Sequence, residues 1–161
     1  ADVVNISSLY GYKLSENFAI SALGEINTTV ADFFEAGGLD FGVGATWTPI
    51  NNLVVVIHPL NFFSPFVGEI SGAAGAKIRA DYTNSFPVAG KSINLSSTFT
   101  TFQPYSTKDG ETSLSQWQWL NNLNFTIWKG IGVGVGLGLR NAEFEIDDTQ
   151  LYTTFGLSYG F

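Results

Sequence analysis

The chain of 161 residues contains no cysteine and no methionine, and only 13% of it is charged. Without cysteine there are no disulfides, no thiol nucleophile and no cysteine-ligated metal. An average soluble domain carries about 25% charged residues, so a large part of this surface is not expected to face water. Cations are especially scarce: 7 Lys and Arg stand against 14 Asp and Glu, a net charge of −7. A nucleic-acid surface needs clustered Lys and Arg, so that class of partner is excluded. Long apolar runs are also missing. A membrane-spanning helix needs about 18 or more consecutive apolar residues; residues 53–57 are too few and residues 131–139 are interrupted by glycine. The missing methionine and the opening on Ala1 read as a mature, processed or incomplete chain.

What is abundant is glycine, 18 residues, and aromatics, 15%, set in a pattern of period two. Helical periodicity is hard to find. Alternation predicts nine strands at roughly 2–11, 17–28, 39–48, 52–58, 75–83, 91–101, 114–128, 130–140 and 150–161. In the eighth, Ile131, Val133, Val135, Leu137 and Leu139 alternate with glycines at 132, 134, 136 and 138. Such a strand packs poorly in a soluble sandwich, but a barrel lumen uses glycine to make room for opposing side chains. Elsewhere Ala76, Ile78, Ala80 and Tyr82 oppose Lys77, Arg79 and Asp81, and Trp117, Trp119, Leu123 and Phe125 oppose Gln116, Gln118, Asn122 and Asn124. An Arg or Lys facing mid-bilayer costs about 2–4 kcal/mol, so the charged face is assigned to the interior. The expected fold is a single all-β domain, an antiparallel transmembrane β-barrel; the alternative is a soluble β-sandwich with an aromatic core.

The last strand orients the rest. Leu151, Thr153, Phe155, Leu157, Tyr159 and Phe161 share one face and the chain stops on an aromatic, as the closing strand of an outer-membrane barrel does. With that end in the periplasm, connections near 29–38, 59–74, 102–113 and 141–149 fall outside the cell and are longer than those near 12–16, 49–51, 84–90 and 129–130. A membrane girdle is expected at Tyr10, Tyr12, Trp47, Trp128, Tyr159 and Phe161 on the periplasmic side, and at Phe99, Phe102, Trp117 and Tyr152 on the other. Nine is an odd count that leaves Ala1 outside, whereas bacterial single-chain barrels have even counts. The expectation is therefore that an odd number of strands precedes Ala1.

Four stretches carry a family resemblance: residues 8–28 with Tyr10-Gly11-Tyr12, residues 47–60 opening Trp47-Thr48-Pro49-Ile50, residues 119–135 with Asn121-Asn122-Leu123-Asn124-Phe125, and the tail Phe155-Gly156-Leu157-Ser158-Tyr159-Gly160-Phe161. In that order they resemble the middle and C-terminal part of an uncharacterised Bacteroidota outer-membrane family, defined only as a domain of unknown function. The resemblance implies a roughly twelve-stranded barrel with about three strands upstream. It implies no activity, cofactor or catalytic residue.

Candidate sites follow from residue type. Glu25, Asp40, Lys77, Arg79, Asp81 and Arg140 share the interior parity and suit either a salt-bridged plug or a charged pore; a plug is preferred for a barrel of this size. His58, the only histidine, is expected at a strand end before Pro59, with Ser64, Ser71 and Asp81 available as partners. A hydrolase needs such a partner and an orienting acid, but no spacing singles one out, and a backbone-bonded histidine is the plainer reading. Glu143, Glu145, Asp147 and Asp148 read as a solvated acidic loop rather than a Ca²⁺ site, since the order is not that of an EF-hand. Glycines 132, 134 and 136 imitate a nucleotide loop, but no helix follows them. The Phe-rich stretch with Phe62, Phe63 and Phe66 reads as a partner-contacting loop, or as an extension of the girdle. The expected function is a non-enzymatic structural or accessory subunit of a membrane complex, without cofactor or metal. Its partners would be outer-membrane lipid and lipopolysaccharide, the barrel-insertion machinery and another protein. A small-solute channel or transporter is the alternative, and a barrel hydrolase ranks below it.

Overall fold

The computed structural model describes residues 3–29, 37–66, 70–88, 91–107, 111–128 and 131–159. They form nine strands and, among the described residues, no helix: β1 (Val3–Lys13), β2 (Phe18–Thr29), β3 (Gly37–Ile50), β4 (Leu53–Pro65), β5 (Ala73–Val88), β6 (Lys91–Pro104), β7 (Gln116–Trp128), β8 (Ile131–Ala142) and β9 (Ile146–Tyr159). Each pairs antiparallel with the next, in one sheet ordered as in the chain. Among the described residues β1 and β9 do not pair with each other. The alternation read from the sequence is therefore the architecture.

Register fixes which residues share a face, because side chains directly opposite one another lie on the same side of a sheet. One row runs Arg79, Thr100, Gln118, Arg140 and Gln150 across β5 to β9. The next row is on the other face: Ala80, Phe99, Trp119, Leu139 and Leu151. The sheet is strongly curled, with the polar face inside. Three strand spacings separate β2 from β5, about 14 Å in a flat sheet, yet Lys77 Nζ lies 3.5 Å from Glu25 Oε2. Phe63 on β4 and Phe144 in the β8–β9 turn have ring centroids 5.8 Å apart.

Burial is inverted relative to a water-soluble domain. The buried apolar set is small: Val56, Phe102, Leu114, Val133 and Ala142. Buried polar residues are as numerous, including Ser21, Asp40, His58, Asn61 and Lys77. The convex face exposes Phe18, Ile20, Phe41, Val43, Trp47, Ile57, Ile78, Trp119, Val135 and Leu137, and rises to 70% exposure at Phe155 and 72% at Leu157 on β9. The exposed area of 10421 Å² exceeds the roughly 7,900 Å² of a compact monomer of this size. That excess follows from one curled layer with none of the described residues packed on its outside.

Three expectations change. β4 does not end at His58 but runs to Pro65 through a bulge between His58 and Asn61. The extra residue shifts the parity, so His58 and Asn61 both point inward, and the broken alternation looks like a strand end. Pro59 sits at this bulge, where its missing N–H is tolerated. Phe62 and Phe63 are consequently strand residues rather than loop residues. Phe66 follows β4 and donates its N–H to Gly37 O. Likewise β9 begins at Ile146, so the expected acidic loop at 141–149 contracts to the turn formed by Glu143, Phe144 and Glu145.

Candidate functional site

The concave face is where the chemistry collects. β3 presents Gly38, Asp40, Gly42 and Gly44 inward, so large side chains of β4 can fold across it toward β2. At Gly44 the approach is tightest: a Cβ there would lie 2.0 Å from Ile57 O and 2.9 Å from His58 Cδ2. Ser21 on β2 pairs with Gly44 on β3, and the missing side chain lets Ser21 Oγ reach His58 Nε2 at 3.0 Å. Thr46 Oγ1 donates to Ser21 Oγ at 3.0 Å. The other ring nitrogen, Nδ1, is buried and has no hydrogen-bond partner among the described residues. None of Ser64, Ser71 or Asp81 bonds to His58; its partner is Ser21, 37 residues away in sequence and two strands away in space. The pair is a serine–histidine dyad in geometry, yet His58 is 0% exposed and Ser21 3%. No carboxylate orients Nδ1 among the described residues. What the arrangement does is tie β2 to β4 over β3.

Beside it lies the ionic centre. Lys77 on β5 pairs with Asp40 on β3 through a hydrogen-bonded salt bridge and reaches Glu25 on β2. Asn61 Nδ2 on β4 donates to the other Asp40 oxygen at 2.7 Å, and Asn5 Nδ2 on β1 donates to Glu25 Oε1 at 2.9 Å. Five consecutive strands thus meet in one network. A buried charge is tolerated only when paired and hydrogen-bonded, and Asp40 and Lys77 satisfy that for each other. Further round the sheet, Arg79 grips Asp81 through Nε and Nη2 at 2.7 and 3.1 Å, and Thr98 donates to Asp81 at 2.8 Å. Arg140 Nη2 pairs with Glu145 at 2.5 Å.

All six charges expected inside, Glu25, Asp40, Lys77, Arg79, Asp81 and Arg140, therefore fall on the concave face, and each is ion-paired there. The sequence did not indicate Ser21 and Thr46 as neighbours of His58, or Asn61 as a neighbour of Asp40. Only the glycines on β3 opposite Ser21 and Asn61, Gly44 and Gly42, hinted that side chains would cross that strand.

Between these groups is a cavity of about 550 Å³, bounded from β2 by Glu25 to β8 by Arg140. One end is roofed by aromatics: Phe63 lies 5.6 Å from Phe102 and 5.8 Å from Phe144 between ring centroids. Phe102 is buried on the concave face, and Tyr152 also turns inward. Its ring covers Gly138, whose Cβ would meet Tyr152 Cζ at 2.2 Å, and its hydroxyl accepts from Gln118 Nε2 at 2.9 Å. These two aromatics are therefore not part of an outer girdle. Trp47 does stand exposed on the convex face. Phe161 and the side chains of Trp128 and Tyr159 lie outside the described residues. Of the Phe-rich stretch, Phe63 points inward, whereas Phe62 is on the convex side with its ring 5.3 Å from Phe41. Among the described residues no group of His, Asp and Glu is arranged to hold a metal ion. Compared with family models, curated proteins and solved structures, the chain matches none.

Proposed function

We propose that this sheet is the wall of an integral outer-membrane β-barrel of roughly twelve strands, serving as a structural or accessory subunit of a membrane complex. One observation carries the reading: the convex face is an almost continuous exposed apolar surface, while the ionised side chains are gathered and paired on the concave face. Soluble monomers rarely expose an apolar patch beyond a few hundred Å², and lipid removes that cost. β1 and β9 offer the edges through which about three further strands would close the barrel, since open edges are not sustained in a bilayer.

The interior is assigned a closed state. The ion pairs of Lys77 with Glu25 and Asp40, and the aromatic contacts of Phe63 with Phe102 and Phe144, span the trough where a pore would run. The strand ends that lead into the longer connections, those of β2 and β3, β4 and β5, and β6 and β7, lie at one end of the sheet, and that end would be presented to a protein partner and to lipopolysaccharide.

The test is refolding from denaturant with and without phospholipid vesicles. The account expects β-structure with heat-modifiable gel migration only when vesicles or detergent are present. A monodisperse, folded monomer in plain buffer would overturn it. A small-solute channel is the second reading, favoured by the charged lining of the cavity. Planar-bilayer recording separates the two: silence is expected, and reproducible steps altered by Lys77→Glu or Arg79→Glu would install the channel instead.

A further inference from the structure

The concave cavity has a lining whose chemistry selects a ligand class, whatever surrounds the convex face. Its size, about 550 Å³, falls within the range of small-molecule sites, about 300–1,000 Å³. Its charges are already committed. Lys77 is held by Asp40 and Glu25, Arg79 by Asp81, and Arg140 by Glu145. Three cations against four carboxylates leave a slight negative excess, so an anion entering the cavity meets no unpaired cation and must compete with carboxylates in place. A free cation likewise finds each carboxylate occupied.

The uncharged groups are less committed. Asn27, Thr100 and Gln116 line the cavity, and none of their side chains is bonded to another described residue. An amide both donates and accepts, and so does a hydroxyl, which suits a ligand whose own groups do both. One end of the wall is aromatic, with Phe63, Phe102 and Phe144 lining the same space. A ligand that offers apolar C–H faces to rings and hydroxyls to amides, without net charge, is a polyhydroxylated one.

We infer that this cavity binds a neutral saccharide of one or two rings, with Asn27, Thr100 and Gln116 bonding its hydroxyls and Phe63 packing on a ring face. Isothermal titration of the full chain in detergent micelles tests this, using neutral mono- and disaccharides as probes, with glycine and inorganic phosphate as the zwitterionic and anionic comparisons. Saturable binding of at least one saccharide is expected, weakened at least about tenfold, a loss of about 1.4 kcal/mol, in both Thr100→Val and Gln116→Ala. A β-sheet circular-dichroism spectrum matching that of the unsubstituted chain establishes that each variant is folded; if either fails to fold, Asn27→Ala replaces it with the same expected loss. No saturable saccharide binding, preferential binding of glycine or phosphate, or saccharide binding unchanged in the folded variants would each overturn the inference. None of these outcomes depends on whether the sheet lies in a membrane, because vesicle-dependent refolding is measured separately.

Discussion

Lys77 and Asp40 illustrate how single residues set the interior. Each is nearly buried, and each makes the other tolerable. Removing one partner of a buried pair costs about 3–5 kcal/mol because the survivor remains charged and desolvated. Lys77→Met is accordingly expected to lower stability by about that amount, measured as the urea midpoint of the heat-modifiable form. The double replacement of Lys77 and Asp40 by apolar residues should recover much of the loss. The glycines make a second prediction at this scale. Gly44→Ala would drive a Cβ to 2.0 Å from Ile57 O, whereas a Cβ at Gly24 meets nothing within 4 Å. Overpacking of this kind costs about 1–3 kcal/mol, so Gly44→Ala should destabilise by that order and Gly24→Ala should not. Equal effects in the two variants would remove the role given to Gly44 in joining Ser21 to His58.

At the scale of the strand, alternation made most of the structure legible. The faces of β5, β7 and β8 could be read residue by residue, because a period of two survives wherever pairing is regular. It was lost at β4, where the bulge at Pro59 puts His58 and Asn61 on the same side. A bulge is a property of two strands, and in one of them the broken alternation cannot be told from a strand end. For the same reason the partner of His58 was not legible: Ser21 is brought to it by the registers of β2 with β3 and β3 with β4, not by spacing along the chain. The lipid-facing assignment makes its prediction here. Val135 and Leu137 on β8 are exposed on the convex face. Val135→Arg should cost about 2–4 kcal/mol in vesicles if that position lies near the bilayer midplane. If the convex face meets water, the substitution should be close to neutral by the same refolding measurement.

For the molecule as a whole, composition already pointed to an inside-out protein, and the distribution of burial gives that a shape. Glu25, Asp40 and Lys77 pair with one another on the concave side, across β2 to β5. The nine-strand count was also legible, although the lengths of β4 and β9 were not. The absence of cysteine makes the central claim directly measurable, since any introduced thiol is unique. Single cysteines placed in turn along β7, in vesicle-reconstituted protein, can be labelled with a fluorophore and challenged with a quencher carried on lipid acyl chains. Positions 119, 121, 123 and 125 should be quenched, and positions 118, 120, 122 and 124 should not. Quenching without alternation, or none at any position, would contradict a sheet whose convex face meets lipid and whose concave face does not.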